Sequence, residues 1–267
     1  MVLLALKSGT QPDSHSSASG SRPSTRPSCN GPVVLSDLHF GPLAGEIALA
    51  AIHQRSLEWR LCYRQELSLL RGNVVNKRRV EFALGRIAAH RALRAAGHTG
   101  SAPVLQGVGR TPAWPSGFVG SITHCGPWAV AAAAKADSMK SIGIDLEDAE
   151  SVPVEEIVQR VCTDAETEWV LAGANGQLKL AALFSAKEAA YKALFPLCRK
   201  FFDFHALQLT WSSKSNVFRG VLQKELSADF PVGYPLQIGC QQRANFVFTH
   251  VAIAADGRTK PNANLAE

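Results

Sequence analysis

The stretch Ile142-Gly143-Ile144-Asp145-Leu146-Glu147 alternates apolar and acidic side chains. Successive side chains of a β-strand point to opposite faces of the sheet, so the stretch predicts a strand with its apolar residues on one face and two carboxylates on the other. Gly143 would let another part of the structure approach closely. Asp145 and Glu147 form a pair of oxygen ligands of the kind that suits Mg²⁺, although a half-buried strand with a polar outer face explains the same pattern.

This strand ends a segment that is rich in β-forming residues. Residues 118–123, 128–134 and 141–147 are typical of three short strands, and they are separated by the turn residues Gly126-Pro127 and Asp137-Ser138. A meander of three neighbouring strands is the simplest arrangement that we expect here.

Beyond residue 147, helical and β-rich patterns form separate blocks. Helices are predicted at 154–160, 165–171 and 178–195, and strands at 206–211, 216–222, 236–241 and 246–254. We therefore predict an α+β protein of two halves of similar size, an N-terminal half at 31–137 and a C-terminal half at 138–255.

The strongest helical pattern in the chain lies upstream, at 76–97. Its apolar residues recur near helical spacing and Gly97 is placed as a C-terminal stop. Its predicted exposed side is strongly basic, with one acidic residue, Glu81, among six cationic ones: Lys77, Arg78, Arg79, Arg86, Arg91 and Arg94. Such a side is either a solvated helix face or a surface for an anionic partner.

Composition limits the class of protein. The 267 residues are 46% hydrophobic and 19% charged, with a formal net charge of +6, which is typical of a globular protein with anionic partners. The six cysteines include no Cys-x-x-Cys pair, and no stretch reaches the roughly 18 apolar residues of a membrane helix. We expect a cytoplasmic protein without a disulfide framework, zinc cluster, signal peptide or membrane span.

Both ends of the chain are expected to lie outside the fold. Residues 8–28 hold eight serines and three prolines and almost nothing apolar. Such a composition cannot offset the entropy of ordering itself, so we predict a disordered Ser/Pro-rich tail at 1–30. The polar segment 256–267 is predicted to be a frayed C-terminal tail.

A second candidate site lies in Phe184-Ser185-Ala186-Lys187-Glu188-Ala189-Ala190-Tyr191-Lys192. Glu188 and Lys192 stand four residues apart and would share one helix face, where an acid and a base could act on the same object. Ser185 followed by Glu188 also matches a capping box, in which the glutamate only satisfies a backbone amide at a helix start. The residues alone leave both interpretations open.

A third candidate is His124, which comes directly after Gly120-Ser121-Ile122-Thr123. Thr123 and His124 would place a hydroxyl and an imidazole at the mouth of a strand pair, where a phosphate could be bound. An ordinary histidine of the surface or core is the alternative. A nucleophilic pair of His124 with Cys125 is disfavoured, because adjacent residues of an extended chain point apart.

Together, the blocks 120–124, 142–147 and 184–192 resemble the three signature motifs of the 4′-phosphopantetheinyl transferase superfamily, in order and in spacing. Two upstream segments, 78–86 and 109–112, resemble the branch that serves siderophore, nonribosomal peptide, polyketide and fatty acid synthases. The resemblance extends over about 35–254. It implies a monomer with a pseudo-two-fold fold, in which two similar α/β halves bind coenzyme A in the cleft between them.

The resemblance also implies roles for individual residues. Asp145, Glu147 and Glu188 match the positions that hold Mg²⁺, for which Mn²⁺ could substitute. The coenzyme-binding set that it implies is Arg78, Arg79, Arg86, Arg110, Thr123, His124, Lys187 and Lys192. Glu166 matches a further acidic position without a settled role.

The activity that this resemblance implies is the transfer of the 4′-phosphopantetheine arm of coenzyme A to a serine of an acyl, peptidyl or aryl carrier protein, with release of 3′,5′-adenosine bisphosphate. The catalytic residues would be Glu188, Asp145 and Lys192, with either Glu188 or a water bound by Asp145 as general base. Carrier proteins are typically acidic, which suits the basic helix. The alternatives are a non-catalytic coenzyme A or carrier-protein binding module and a nucleic-acid-binding protein, but an RNA-binding aromatic motif is lacking.

Overall fold

The computed structural model describes residues 40, 43, 46–70, 72 and 74–259. The predicted disordered tail at 1–30 and residues 260–267 of the predicted C-terminal tail lie outside the described residues. Residues 255–257 form a turn, Arg258 N donates to Asp256 Oδ1 at 2.9 Å and Thr259 forms a β-bridge with Ile253, so the first residues of the predicted frayed tail belong to the fold.

The N-terminal half contains a long helix and five short strands. Its strands are β1 (Ala48–His53), β2 (Leu105–Gln106), β3 (Pro112–Ala113), β4 (Phe118–Cys125) and β5 (Trp128–Lys135), and its helices are α1 (Arg64–Leu67) and α2 (Asn76–Ala95). Short 3-10 turns lie at Gln54–Ser56, Trp59–Leu61, Ser68–Leu70 and Val108–Arg110.

The C-terminal half repeats this plan with longer strands. Its elements are β6 (Met139–Asp148), α3 (Val154–Val161), α4 (Asp164–Leu171), α5 (Gly176–Cys198), β7 (Leu207–Ser212), β8 (Val217–Leu222), β9 (Pro235–Arg243) and β10 (Phe246–Ala254), with 3-10 turns at Ala149–Ser151 and Phe204–Ala206. The predicted boundary between 137 and 138 lies in the turn between β5 and β6.

The strands form two main antiparallel sheets. The first has the order β1-β5-β4, the second has the order β6-β10-β9-β8-β7, and β2 pairs with β3. The predicted three-stranded meander is therefore wrong in one respect, because β6 pairs with β10 and not with β5. The apolar side chains of β6 pack in one core with those of Trp128 and Val130 on β5 and Phe248 on β10, and β6 lies beside β4, where Ile144 N donates to Ser121 Oγ at 3.1 Å.

Each long helix covers one sheet. Leu84, Ile87 and Leu93 of α2 pack on Ile52 of β1 and on the alanines of β5, while α5 buries its apolar side against β10 and the remaining strands of the second sheet. The predicted stop of α2 is confirmed, since Gly97 has a φ of 92° and its N–H donates to Arg94 O at 3.0 Å.

The two halves also match in sequence where they match in structure. The segment Arg60-Leu61-Cys62-Tyr63-Arg64-Gln65-Glu66 leads into α1, and Arg160-Val161-Cys162-Thr163-Asp164-Ala165-Glu166 leads into α4. In the long helices, Arg86-Ile87-Ala88-Ala89-His90-Arg91-Ala92-Leu93 matches Lys187-Glu188-Ala189-Ala190-Tyr191-Lys192-Ala193-Leu194. These correspondences confirm the predicted α+β fold of two similar halves.

The ends of β1 and β6 correspond in detail. His53 accepts a hydrogen bond from Arg55 N at 3.1 Å, and Asp148 accepts one from Glu150 N at 3.1 Å. Each of these residues caps a 3-10 turn at the end of its strand.

Among the described residues, no helix is both long and apolar enough to cross a membrane.

Candidate functional site

The paired carboxylates lie on the face of β6 that α5 covers. Ile144 and Leu146 face the core between the sheets, as the alternation predicts. Asp145 has none of its surface exposed, so the helix closes this position of the polar face to solvent, whereas Glu147 is half-buried. The close approach expected at Gly143 is made by α5, because a Cβ on this residue would clash with Ala189 O and lie 2.7 Å from Ala193 N.

Asp145 joins three elements of the structure. Thr123 Oγ1 on β4 donates to Asp145 Oδ1 at 2.9 Å, and Lys192 Nζ on α5 lies 2.6 Å from the same oxygen. Lys192 also donates to Ile144 O at 3.1 Å. Two predicted coenzyme-binding residues from different halves thus meet at one predicted metal ligand.

Glu188 lies in the interior of α5, with 4% of its surface exposed. The helix begins at Gly176, nine residues before Ser185, so the capping-box interpretation is wrong. Ser185 instead bonds to Thr249 Oγ1 at 2.8 Å, and Thr249 is paired with Asp145 between β10 and β6. Residues 185, 188, 189 and 192 share one helix face, so Glu188 faces β6 beside the Asp145 contact.

The donor set at this point suits a hard divalent cation. Buried carboxylates lie on two elements that pack together, Asp145 on β6 and Glu188 on α5, and the Lys192 ammonium already occupies a cation position against Asp145. Within the described part of the chain, no three histidine, cysteine, aspartate or glutamate side chains are grouped closely enough to hold a metal as they stand. The described residues therefore fit a cation in type and burial, but they do not form a finished three-carboxylate cluster.

His124 and Arg78 converge on a residue that sequence reasoning did not include in the site. His124 Nε2 and Arg78 Nη1 each lie 3.8 Å from Glu81 Oε2, which links β4 to the start of α2. The only sequence signal for Glu81 was its place as the single acid in a basic run. Arg79, also in this run, is exposed.

The position of Arg86 differs from the one expected from the sequence. It does not lie on the exposed basic side of α2, because only 7% of its surface is accessible and its guanidinium lies 4.3 Å from the centre of the Phe82 ring. Burial lowers the pKa of Arg86 to about 10, and the nearby Glu66 opposes this shift. The side chain is still cationic at neutral pH and points toward Leu105 O, 3.4 Å away.

Arg110 lies in a turn that contacts the other half. It is exposed and has a φ of 64°, and a Cβ on the preceding Gly109 would lie 2.8 Å from the ring of Phe195 on α5. The turn therefore packs, through Gly109, on the C-terminal part of the helix that carries Glu188 and Lys192, and Arg110 is the next residue.

Lys187 is the member of the predicted coenzyme-binding set that the structure contradicts. Its ammonium donates to Val161 O at 2.8 Å, to Glu166 Oε2 at 2.6 Å and to Phe204 O at 3.0 Å, and 2% of the residue is exposed. Because neighbouring helical residues point about 100° apart, Lys187 faces away from β6 when Glu188 faces toward it. Its three donors are taken by the protein.

Two family models match the chain. The model for the 4'-phosphopantetheinyl transferase N-terminal domain matches residues 65–134, and the model for the 4'-phosphopantetheinyl transferase superfamily matches residues 141–238. The chain belongs to the 4′-phosphopantetheinyl transferase superfamily. The two matches are consecutive along the chain and correspond to its two halves, as in a two-domain member of the superfamily.

Several characterised proteins are similar to this chain. The 4'-phosphopantetheinyl transferase PptT of Mycobacterium tuberculosis is 35% identical over 156 residues, which are 55% of this chain and 64% of that protein. Npt of Nocardia iowensis, also a 4'-phosphopantetheinyl transferase, is 37% identical over 51% of this chain and 61% of its own length. Enterobactin synthase component D of Escherichia coli is 42% identical over 44% of this chain and 55% of its own length.

The similarity to these relatives is partial, since the chain spans less than two thirds of each of them. Among solved structures, the holo-[acyl-carrier-protein] synthase of Thermotoga maritima aligns with a TM-score of 0.35 and 21% identity, over 42% of this chain and 61% of that chain.

Proposed function

We propose that this protein transfers the 4′-phosphopantetheine arm of coenzyme A to a serine of an apo carrier protein and releases 3′,5′-adenosine bisphosphate. The observation that carries the proposal is the meeting of Thr123, Asp145 and Lys192 at one buried carboxylate oxygen. Lys192 shares its face of α5 with the buried Glu188. Membership of the superfamily and the activities of the similar proteins support the reaction class.

The metal ligands in this proposal are Asp145, Glu147 and Glu188. Mg²⁺, or Mn²⁺ in its place, would neutralise the charge that develops on the coenzyme's diphosphate. Lys192 would exchange its contact with Asp145 for one with a phosphate oxygen. The Lys192 ammonium would need to move only a short distance for this exchange, because a quarter of its side chain is exposed at the edge of the interface.

The coenzyme would be bound by cationic and polar side chains from the N-terminal half. Thr123 and His124 lie at the end of β4, and Arg78 lies within the same contact network through Glu81. Arg79, Arg86 and Arg110 would supply further positive charge toward the phosphates. Guanidinium groups suit this task because they bind phosphate oxygens in pairs.

The chemical step forms one bond and breaks another. The carrier serine Oγ bonds to the β-phosphorus of coenzyme A, while the bond from that phosphorus to the departing bisphosphate oxygen breaks. The serine proton passes to Glu188 Oε or to a water held beside Asp145. Glu188 suits this role because it is buried next to the carboxylate that would orient the phosphates.

The proposal also covers the compartment, the oligomeric state and the acceptor proteins. The reaction would take place in the cytoplasm on a monomer, with acidic acyl, peptidyl or aryl carrier proteins as acceptors. The five described cysteines, none of which is in a disulfide, are compatible with a reducing compartment.

Incubation with coenzyme A, Mg²⁺ and a panel of apo carrier proteins, followed by mass spectrometry of each carrier, tests the function. We expect one or more carriers to gain the mass of the arm in a metal-dependent reaction. A chain that binds coenzyme A but modifies no carrier would instead support a non-catalytic binding module.

The variant Glu188→Gln separates catalysis from folding. Glutamine keeps the volume of the buried side chain but cannot act as an anionic ligand or as a base, so we expect a normal fold and a loss of transfer of at least about 100-fold. Glu168→Gln, an exposed position on α4, is the matched control and should retain full transfer. Wild-type rates in Glu188→Gln would contradict the assigned role.

A further inference from the structure

Two buried glutamates have the same arrangement of contacts in the two halves. Glu66 accepts hydrogen bonds from Tyr63 N at 3.0 Å and Val104 N at 2.7 Å, and it bonds to His90 Nε2 at 2.8 Å. In the N-terminal half, this carboxylate therefore connects the short helix α1, the long helix α2 and the chain beyond α2. Glu66 has 0% of its surface exposed.

In the C-terminal half, the equivalent residue is Glu166, which is 1% exposed. It accepts hydrogen bonds from Thr163 N at 2.7 Å and Leu209 N at 2.7 Å, and Lys187 Nζ donates to it at 2.6 Å. The backbone amides correspond in place, and the long helix supplies the nitrogen of a basic side chain in both halves.

The basic partner lies at different positions of the two long helices: Glu66 bonds to His90, which aligns with Tyr191, while Arg86, which aligns with Lys187, donates to Leu105 O. The next residue along the helix differs as well. Lys187 is followed by Glu188, whereas Arg86, its match in the aligned helical segments, is followed by Ile87. Ile87 is 2% exposed and packs in the core of the N-terminal half. The glutamate contact is thus duplicated, but only one copy lies next to a residue of the candidate site.

We propose that Glu166 and Lys187 are positioning residues, which fix the rotation of α5 about its axis and so aim Glu188 at Asp145 and the proposed metal. Lys187 is bonded to three separate segments, through Val161 O, Glu166 Oε2 and Phe204 O. A rotation of α5 by even a fraction of the 100° between neighbouring residues would break these bonds.

Contacts on the opposite side of α5 hold the helix in the same rotation about its axis. Ser185 bonds to Thr249 on β10, and Lys192 bonds to Asp145 on β6. Glu188 lies between these two contacts along the helix, with Lys187 anchored behind it. Partners that orient metal ligands commonly change metal affinity by about 10- to 100-fold when they are removed.

This inference rests on the proposed function, and its test measures metal binding separately from transfer. The variants are Glu166→Asp, which shortens the carboxylate arm, and the double variant Glu166→Gln with Lys187→Met, which removes both charges together. The matched control is Glu66→Gln, which weakens the equivalent contact in the half that lacks a proposed metal ligand.

Three quantities are measured for each protein. They are the thermal midpoint, the affinity for coenzyme A in the presence of a chelator, and the Mg²⁺ concentration that gives half of the Mg²⁺-dependent thermal stabilisation in saturating coenzyme A. The last one is also compared with the Mg²⁺ concentration for half-maximal transfer.

We expect both Glu166 variants to raise the required Mg²⁺ concentration by about tenfold or more, with coenzyme affinity within about twofold of wild type. Glu66→Gln should lower the thermal midpoint and leave the Mg²⁺ requirement unchanged. If the double variant does not fold, Glu166→Asp carries the test, because it retains the charge pair.

An unchanged Mg²⁺ requirement in a folded Glu166 variant, or an equal rise in Glu66→Gln, would overturn the proposal. If the wild-type protein shows Mg²⁺-dependent stabilisation with coenzyme A but modifies no carrier, the proposed function fails, while the thermal measurement still decides the positioning role.

Discussion

Asp145 connects the two halves, since it accepts a hydrogen bond from Thr123 and pairs with Lys192. A carboxylate with no exposed surface needs such partners, because an uncompensated charge in the interior is strongly unfavourable. Lys192 supplies this compensation with its ammonium group. It therefore has a structural role in addition to the proposed coenzyme contact.

The variant Lys192→Met tests this role. It leaves Asp145 buried without its ammonium partner, so we expect a loss in the free energy of unfolding of about 3 kcal/mol, at the lower end for a buried pair because the lysine is partly exposed. Urea unfolding measures the loss. Lys224→Met, which removes an exposed partner of Asp203, should cost less than about 1 kcal/mol, and equal losses in the two variants would argue against the buried pair.

A second prediction at the residue scale concerns His250 and the pH dependence of stability. It is 2% exposed, neither ring nitrogen has a partner among the described residues, and burial lowers its pKa to about 4 from the ordinary value of 6.5. The unfolded chain thus takes up the proton at higher pH than the folded one, so stability is present above pH 6.5 and is lost as the pH falls toward 4.

We expect this group to remove about 2 kcal/mol of stability between pH 7 and pH 5. Denaturant unfolding of the wild type and of His250→Leu at both pH values isolates the effect, because the other titrating groups are common to the two proteins. The variant should lose less stability on acidification. Parallel losses would show that His250 does not stay neutral in the fold.

At the scale of elements, the packing of α5 on β6 depends on Gly143. A Cβ there would clash with Ala189 O and approach Ala193 N to 2.7 Å, so only a glycine allows the helix to lie this close to the strand. This close approach is what brings Glu188 and Lys192 to the carboxylates of β6. The strand pattern around Gly143 predicts a close approach at this position, but the element that approaches it depends on the tertiary packing.

The variant Gly143→Ala should push α5 away from β6. We expect a destabilisation of about 3 kcal/mol, typical of overpacking against rigid backbone, together with a loss of metal-dependent activity. Gly100→Ala is the control, because its Cβ would meet only the side chain of His98, at 3.1 Å. The unfolding free energy of each protein is measured by urea titration, and a stable, active Gly143→Ala would contradict the packing argument.

Helix length decided between the two interpretations of the 184–192 motif. Ser185 and Glu188 have the spacing of a capping box, and that spacing is the same whether a helix starts there or nine residues earlier. The start of α5 at Gly176 depends on its packing against α4 and the second sheet. The local motif could not reveal it.

At the scale of the whole molecule, the exposed part of the basic helix is a candidate surface for an acidic partner. Arg86 is buried, but Lys77, Arg79, Arg91 and Arg94 are exposed along α2. Charges of one sign on an exposed face raise the rate of encounter with a partner of opposite charge, and salt weakens the effect.

The reversal Arg91→Glu with Arg94→Glu should raise the KM for carrier protein by roughly fivefold at low salt and leave the KM for coenzyme A unchanged. Steady-state kinetics at several salt concentrations measure this. Lys214→Glu with Arg219→Glu makes the same change in net charge at exposed positions of the C-terminal half and should leave both constants unchanged. Identical kinetics for the two double variants would remove α2 as a steering surface.

The sequence by itself determined the alternation of β6, the extent and stop of α2 and the two-part α+β architecture. These features depend on side-chain periodicity and on turn and cap residues, which act over a few positions of the chain. The repeated Arg-x-Cys-x-x-x-Glu segments were also present in the sequence and could have revealed the paired roles of Glu66 and Glu166.

Only the tertiary structure decided which sheet β6 joins, that Arg86 is buried, that Lys187 bonds to Glu166 and that Glu188 faces the strand that carries Asp145. Each of these depends on contacts between residues far apart in the chain. A strand pattern fixes which side chains share a face but not which neighbour its edge will meet, and a helix pattern leaves the rotation about its axis to the partners on either side.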